Sequence, residues 1–424
     1  MKLRNLLCAT MVACAFASCS NDDGIDGNGG KTPEGATAQL EVKISTPSLT
    51  KAVGESATIA SLGVLVFDAS TNKLEAKGID VAGKAGEGKS VVADNLTAGQ
   101  KKVLVLANMK SKMDTYTTAT TLDNVLADTQ DFSNAEVDGS LSMNSQVYTV
   151  DLKAGVINYL GYGDTNPSND SENNYLTQAG TQPVKLYRNV ARIVLESVQV
   201  TANQTKYPSA KLTVNRVFVL HGNKTTKVAT EKPWGTTMPE VMNYLNGCTN
   251  TDYAAWVAFM AGKTQIQAYL TGSNYENVPA YSNTITNQSL TYDQKWQPAD
   301  QSFYVYENTS TALHTLLVVE GKLEYGEVTG DKAELRYYSV AIGKDGITGI
   351  DATTGVYPVP AGFDGNRDGG LTGTVRNIQY NVNLKVAGPG YTTPFGPDAK
   401  DETKLDVQVE VVNFGAVNQD VTIE

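Results

Sequence analysis

The sequence predicts an all-β protein built from two sandwich domains. Short β-branched runs recur along the chain between Gly, Asn, Asp and Pro-rich turns, and several of them alternate apolar and polar residues with the period of two that a half-buried strand requires. Helical periodicity is rare. Once a leader is removed, roughly 400 residues remain, more than one sandwich usually needs. We therefore expect two transthyretin-like or Greek-key β-sandwich domains with few short helices.

Residues 1–18 are predicted to be a signal peptide. Lys2 and Arg4 precede an uncharged run from Leu6 to Phe16, which is too short to cross a bilayer as a helix of about twenty residues. Small residues precede Cys19 and the chain turns polar directly after it, which is similar to a bacterial lipobox, where cleavage before the cysteine exposes a thiol for lipidation. The alternative is an ordinary secretory signal in which Cys19 is incidental.

Cysteine usage indicates an exported protein that folds without disulfides. Cys8 and Cys14 fall in the leader and Cys19 would carry the lipid, so Cys248 alone remains. The Gly, Asp and Asn-rich segment from Ser20 to Gly35 predicts a flexible tether between lipid and fold. A net charge of −11 argues against nucleic acid as a partner, because phosphate binding needs clustered Lys and Arg.

The strand-like runs are spread over both halves of the chain. A Gly, Asn, Ser and Asp-rich stretch from Gly161 to Pro183 is the best boundary, which gives domains at 52–182 and 183–424, and we expect short helices at Leu122–Leu126 and Pro239–Leu245. The predicted strands are Leu62–Phe67, Val103–Leu106, Val147–Leu152, Ala191–Leu195, Leu212–Leu220, Phe303–Tyr306, Leu316–Val319, Tyr337–Ile342 and Ile378–Val386.

The two ends of the mature chain carry nearly interchangeable strand patterns. Ala38, Leu40, Val42 and Ile44 alternate with polar residues, and so do the apolar residues of the run from Leu405 to Val411. A second apolar set of one parity, Val417, Val421 and Ile423, follows a break at residues 413–415.

Catalysis is not expected, and neither is a cofactor. His221 and His314 are the only histidines, too few for a histidine-based triad or metal centre, and we interpret them as a turn and a strand residue. Cys248 has no neighbouring base in the sequence that would activate its thiol as a nucleophile. Paired carboxylates leave a surface hydrolase as a weaker alternative.

Asp364, Asn366 and Asp368, followed by Gly369, match the opening of a calcium loop. Position twelve of such a loop would be Val375, so the expected bidentate Glu is missing. We favour an Asx and Gly-rich hairpin loop and expect no metal; a partial calcium loop is the alternative.

Several motifs, taken in order, resemble the major fimbrial subunits (fimbrillins) of Bacteroidales, which build type V pili. The similarity extends from the lipobox to the C-terminus. The stretches that carry it are Ile59–Phe67, Leu141–Met143, Leu186–Ile193, Val217–Lys224, Trp234–Gly235, Phe303–Asn308 and Arg376–Asn377 with Tyr380.

The resemblance implies a structural subunit of an adhesive, cell-surface fimbrium. Its precursor would be lipid-anchored to the outer membrane until a trypsin-like surface protease removes the N-terminal segment with its first β-strand. The C-terminal strand of another copy would fill the groove left behind, so the partners would be further copies and other pilus subunits joined head to tail. A C-terminal donor strand favours a stalk or base position over the tip.

The residues fit this scheme with one departure. Leu40, Val42 and Ile44 would fill the groove in the precursor, so that residues 19–51 form a lipidated pro-segment, and cleavage would fall between Lys51 and Ala52. The familiar pattern favours Arg at this site, but the sequence has no Arg between Arg4 and Arg188. A Lys-tolerant enzyme would therefore cut, or the subunit would stay uncleaved. Lys31 and Lys43 are the alternative cleavage sites, but Lys43 would be protected inside its strand.

For the donor we expect the last nine residues, with Val417, Val421 and Ile423 facing the groove, while the run Leu405–Val411 stays in its own sheet. An alternative is that both terminal strands pair only within one subunit. The competing function is a monomeric or anchor outer-membrane surface lipoprotein that binds glycan or a host ligand. Such a protein would keep Cys19 and its lipid and would not polymerise.

Overall fold

A computed structural model describes most of the predicted strands. The described residues are 37–45, 59–80, 90–132, 136, 141–162, 173–179, 183–231, 282–298, 301–308, 310, 314–343, 373–392, 394, 405–412 and 416–423. For residues 45, 282–284, 286–287, 405–412 and 416–423 it gives the strands without a side-chain description.

The N-terminal domain is a sandwich of two sheets. One sheet has the order β10-β9-β1-β11 with β4 also paired to β1, and the other has the order β12-β7-β5-β2-β3 with β8 paired to β5. The strands are β1 (Thr37–Ser45), β2 (Leu62–Asp68), β3 (Leu74–Asp80), β4 (Ser90–Thr97), β5 (Gly99–Ala107), β7 (Met143–Asn144), β8 (Tyr148–Leu152), β9 (Ile157–Leu160), β10 (Asn174–Leu176), β11 (Val184–Lys185) and β12 (Tyr187–Arg188).

Both faces of the second sheet are buried. Inward-facing aliphatic side chains of the two sheets form one core, which includes Val64 and Val105. Leu65 and Leu104, of opposite parity on the same strands, pack under two short helices instead, α1 (Lys110–Thr115) and α2 (Leu122–Ala127). This explains why β2 appears as an unbroken apolar run: a strand covered on both faces has no polar side to alternate with.

The predicted helix at Leu122–Leu126 is confirmed as α2. Thr121 caps it, because its side chain accepts a hydrogen bond from the Asn124 N–H and the Asn124 side chain accepts one from the Thr121 N–H. The helix α1 was not predicted; it is six residues long and has no side-chain cap. The predicted helix at Pro239–Leu245 lies outside the described residues.

The C-terminal domain is a second sandwich. One sheet has the order β17-β13-β21-β23-β22 with β18 paired to β13, and the other has the order β16-β14-β19-β20. The strands of these two sheets are β13 (Ala191–Val200), β14 (Lys211–Leu220), β16 (Ser282–Thr291), β17 (Lys295–Trp296), β18 (Ser302–Val305), β19 (Leu316–Glu324), β20 (Arg336–Ala341), β21 (Gln379–Val386), β22 (Leu405–Val412) and β23 (Ala416–Ile423).

The core between these sheets is continuous and aliphatic, with buried aromatic residues such as Phe218, Tyr338 and Tyr380. One 3-10 turn, Gly330–Lys332, follows β19. The described residues thus form sheets with short helical segments, which confirms the predicted all-β fold.

The two domains meet where β12 passes into β13. β11 and β12 pair with β1 and β7, so both belong to the N-terminal sheets. The predicted boundary at 182 therefore falls just ahead of the last two strands of the N-terminal domain. A short ladder of β6 (Thr129–Asp131) and β15 (Thr225–Lys227) joins segments from the two halves of the chain.

The last two strands, β22 and β23, both lie in the first sheet of the C-terminal domain. β23 pairs parallel with β21 along its length, and β22 pairs antiparallel with the outer edge of β23. The run Leu405–Val411 is expected to stay in its own sheet and residues 416–424 to be the donor strand. Within one copy both strands lie in the same sheet, and β23 is the inner of the two. In a monomer the backbone N–H and C=O groups of both strands can form ladder hydrogen bonds only with strands of their own sheet.

Candidate functional site

The strand β1 occupies an interior position of its sheet. It pairs antiparallel with β4 from Thr37 to Lys43 and parallel with β9 from Gln39 to Val42, and its last two residues pair parallel with β11. A strand with ladders on both sides cannot leave without opening a slot between its neighbours. We call the slot between β4 and β9, closed at one end by β11, the β1 groove.

The inward side chains of β1 are the apolar ones that the alternation predicted. Leu40 and Val42 are fully buried, Ile44 is 2% exposed, and all three belong to the core between the N-terminal sheets. Burying three aliphatic side chains contributes about 5 to 9 kcal/mol, at about 1.5 to 3 kcal/mol each. Loss of residues 37–45 would therefore expose an apolar surface along the β1 groove.

The outward side chains of β1 are held by polar and aromatic neighbours. Gln39 Nε2 donates to Asp94 Oδ1 at 2.6 Å. The Tyr162 hydroxyl donates to the Glu41 carboxylate, and Lys43 Nζ lies 5.6 Å from the centre of the Tyr162 ring. Burial, followed by the bond to Glu41, raises the pKa of Tyr162, so the phenol stays protonated and remains a donor.

Two residues of the β9 segment shape the groove. Asn158 is fully buried beside Leu40, and its Nδ2 donates to the Gln39 carbonyl oxygen at 3.0 Å. Gly161 has φ +82°, and a Cβ there would lie 2.4 Å from the Lys43 carbonyl oxygen. Only glycine fits such a close approach in a left-handed conformation, so Gly161 lets the chain close over the occupant of the groove.

The groove has a defined direction relative to the domain junction. Thr37 lies at the far end, where its carbonyl oxygen accepts from the Gly155 N–H, and Ser45 pairs with Lys185, three residues before the end of β12. In the other domain β13, β21 and β23 are parallel and run away from the junction, so Ile423 lies beside Val386 at the opposite pole. The open end of the groove and the C-terminal end of β23 therefore both lie away from the domain junction, which suits a head-to-tail contact.

The junction itself is built on a buried ion pair. Arg376 Nη2 lies 2.8 Å from Glu307 Oε2, with the two side chains 0% and 2% exposed. The same guanidinium donates to Asn144 and Asn189 at 3.2 Å each and to Thr226 Oγ1 at 3.0 Å. Because these partners come from both halves of the chain, the network fixes how the domains are joined.

A second carboxylate, Glu136, is buried next to this network. It accepts hydrogen bonds from the Ser142 N–H at 3.0 Å, from the Tyr306 hydroxyl at 2.9 Å and from Gln130 Nε2 at 2.9 Å. Burial raises the pKa of Glu136 despite these donors. Tyr306 follows β18, so this bond also crosses the domain junction.

The sequence did not single out these junction residues as a unit, although Ser142, Asn189, Glu307 and Arg376 all lie in motifs that carry the resemblance to fimbrillins. The sequence feature that could have identified the junction residues is the presence of charged and amide residues inside otherwise apolar strand segments. Such residues are buried only when they are paired.

The two histidines lie close together in space. His221 is 2% exposed in the turn after β14, with φ +56°, and its Nδ1 is 3.0 Å from the His314 carbonyl oxygen. The turn prediction for His221 is confirmed, whereas His314 precedes β19 and is not part of a strand. Burial lowers the pKa of His221 to about 4, so the imidazole is neutral near pH 7.

We expect His221→Asn to reduce the acid sensitivity of the fold. Between about pH 6.5 and pH 4 the unfolded chain binds a proton at this position and the folded chain does not, so stability falls as pH drops, by up to about 3 kcal/mol at 1.36 kcal/mol per unit. Asn tolerates a positive φ. Urea unfolding at pH 7 and pH 4.5 should show a smaller decrease for the variant; an equal decrease would contradict the assignment.

Several predicted site residues lie outside the described ranges. These are the lipidation candidate Cys19, the cleavage candidates Lys51 and Ala52, the thiol Cys248 and the calcium-loop candidates Asp364, Asn366 and Asp368. Within the described part of the chain, no group of three or more His, Cys, Asp or Glu side chains is arranged to hold a metal ion. Neither described helix is long and apolar enough to span a membrane.

Comparisons with known proteins agree with this architecture. The family model for the major fimbrial subunit protein FimA matches residues 38–188, and the model for the FimA4 pilin C-terminal domain matches residues 241–414. The chain is 26% identical over 440 residues to the major fimbrium subunit FimA type-2 of Porphyromonas gingivalis, with all of both chains covered. It is also 26% identical over 449 residues to the type-5 subunit, with 99% of each chain covered.

Solved structures show the same fold. A putative cell adhesion protein from Parabacteroides distasonis superposes with a TM-score of 0.60 at 21% identity, covering 92% of this chain and 99% of that one. A fimbrilin from Porphyromonas gingivalis superposes with a TM-score of 0.52 at 18% identity, covering 92% and 97%. The FimA model ends at residue 188, where the N-terminal sheets also end. The chain belongs to the major fimbrial subunit family.

Proposed function

We propose that this protein is a stalk subunit of an adhesive type V fimbrium that polymerises by donor-strand exchange. It is exported as a lipoprotein through Cys19, carried to the outer membrane, and cut between Lys51 and Ala52 by a trypsin-like surface protease. The cut releases β1, and residues 416–424 of a second copy enter the vacated β1 groove.

The observation that carries the proposal is the position of β1. It is the first described strand, it is interior to its sheet, and its inner row is fully buried. Lys51 lies six residues beyond Ser45, the last residue of β1. A cut there leaves β1 bound to the rest of the fold only by pairing and packing, because no peptide bond connects it any longer.

Proteolysis is needed because spontaneous exchange would be slow. The three aliphatic side chains alone contribute about 5 to 9 kcal/mol, and each ladder hydrogen bond adds roughly 1 kcal/mol. While the chain is intact, the effective concentration of β1 at its groove is far above that of any second copy. Cleavage removes this advantage, after which a donor strand competes on equal terms.

Deletion of residues 416–424 tests the donor assignment. We expect the truncated chain to be exported and cut but to form no ladder of sodium dodecyl sulfate-resistant oligomers, because the acceptor groove has no strand to bind. Lys51→Ala should also prevent the ladder, at the earlier step of cleavage. Lys31→Ala, in the predicted tether, is the matched control and should assemble normally.

Truncated chains that still assembled would exclude the donor assignment. A monomeric protein that keeps its lipid on Cys19 under all conditions would instead support the competing function, an outer-membrane anchor or binding protein. Fimbriae that form normally from Lys51→Ala chains would move the cleavage site elsewhere without affecting the donor assignment.

A further inference from the structure

We infer that Asn158 and Tyr162 set the register in which the donor strand enters the β1 groove, by matching Gln419 and Asp420 of the incoming copy. This inference rests on the proposed function. It places residues 417–423 of the donor at the positions that residues 38–44 hold in the precursor, in the same direction.

The match begins with the apolar row. In this register Val417, Val421 and Ile423 take the positions of Ala38, Val42 and Ile44, which line the core between the N-terminal sheets. The valine and isoleucine at the last two positions are then identical in the departing strand and in the incoming one. The remaining inward position, that of Leu40, falls to Gln419.

A glutamine in an aliphatic row would be costly at most points of the groove. The position of Leu40 differs because its neighbour across the ladder is Asn158, a buried amide on the same face of the sheet. The neighbour of Val42 is Leu160. The Asn158 amide is itself bonded within the subunit, to the Lys153 main chain and to Asn174. Gln419 at the position of Leu40 therefore lies beside a polar neighbour, whereas one inward position further along it would lie beside an aliphatic one.

The side chains on the outer face of the strand provide an independent argument for the same register. Asp420 takes the position of Glu41, whose carboxylate accepts a hydrogen bond from the Tyr162 hydroxyl. Departure of β1 removes this carboxylate from the Tyr162 hydroxyl, which also bonds to the Ser90 side chain and belongs to a residue that is 9% exposed. A carboxylate at the same position of the donor restores the bond, and hydrogen bonds to charged groups are the stronger ones.

Other arrangements satisfy only part of this pattern. Shifting the donor by two residues toward the junction puts Gln419 beside Leu160, and shifting it by two the other way moves Asp420 to the position of Gln39, away from the Tyr162 hydroxyl. Reversing the donor about Asp420 keeps that carboxylate at the position of Glu41 but again puts Gln419 beside Leu160. Only one register places both polar residues beside polar partners.

Cysteine cross-linking along β4 tests the register directly. Lys43 pairs with Ser90 and Glu41 with Val92, while Gln39 contacts Asp94. The full-length chain would carry Cys248→Ser and Thr422→Cys together with Ser90→Cys, Val92→Cys or Asp94→Cys, and would be cleaved, assembled and oxidised. We expect disulfide-linked copies with Ser90→Cys.

Each other outcome of the cross-linking has a separate meaning. Linkage mainly to Val92→Cys would overturn the register in favour of a two-residue shift away from the junction, and linkage mainly to Asp94→Cys would show a reversed strand. Assembly without any of these links, together with unimpaired assembly of the chain lacking 416–424, would overturn the proposed function itself. Linkage to Ser90→Cys would support both the register and the proposed function.

A double-mutant cycle tests the role of Tyr162 without new cysteines. We expect Asp420→Asn to slow assembly of cleaved subunits by roughly tenfold, the effect of one hydrogen bond to a charged group. Tyr162→Phe should slow it similarly, and the double variant should be no slower than either single one. Asp406→Asn, in β22, is the matched control and should assemble at the normal rate. Additive losses would overturn the pairing of Asp420 with Tyr162.

Discussion

Replacing Arg376 by Met is expected to destabilise the precursor by about 3 to 5 kcal/mol. The change leaves the Glu307 carboxylate, 2% exposed, without its guanidinium partner, and an unpaired buried charge is far more costly than the pair is stabilising. It also removes the donor that Asn144, Asn189 and Thr226 share. The free energy of unfolding from urea titration measures the loss.

A surface ion pair provides the control for this prediction. Arg336 Nη2 lies 2.6 Å from Glu334 Oε2, but the Glu334 side chain is 71% exposed. Arg336→Met should therefore cost less than about 1 kcal/mol. Adding Glu307→Gln to Arg376→Met should recover part of the loss, because a neutral amide replaces the unpaired charge. A loss below about 1 kcal/mol for Arg376→Met alone would show that the junction does not depend on this pair.

The second large effect is expected from Leu40→Ala, and it should depend on processing. In the precursor Leu40 is fully buried, and replacing a buried Leu by Ala costs about 2 to 5 kcal/mol. In the assembled fimbrium the residue is absent if β1 has been removed. We expect an unstable precursor and fimbriae with normal resistance to heat and detergent.

Leu96→Ala is the matched control because Leu96 lies on β4, in the same core, and is kept after cleavage. It should weaken both the precursor and the fimbriae. If Leu40→Ala weakened the fimbriae as much as Leu96→Ala does, β1 would still be present in the assembled subunit, and donor-strand exchange at this groove would be excluded.

Alternation made the terminal strand β1 predictable from sequence. Every second residue from Ala38 to Ile44 is apolar, and each of these is buried. The ends of the elements were less predictable where the structure depends on distant partners. Residues 184–188 form two short strands, separate from β13, because they pair with β1 and β7.

The junction network could not be assembled from sequence spacing. Asn144, Thr226, Glu307 and Arg376 are far apart along the chain. They meet because β7, β15, the segment after β18 and the segment before β21 come together at the junction. The same holds for Tyr162 and Glu41, which are 121 residues apart and meet across the outer face of the sheet. Contacts of this kind follow from the order of strands in a sheet, which local periodicity does not specify.

The N-terminal sequence of the subunit in assembled fimbriae tests most directly the claim that β1 is removed before polymerisation. The account predicts that the sequence begins at Ala52, so that Leu40, Val42 and Ile44 are absent from the fimbrium. Assembled subunits that begin at a lipidated Cys19, with β1 still attached, would contradict it.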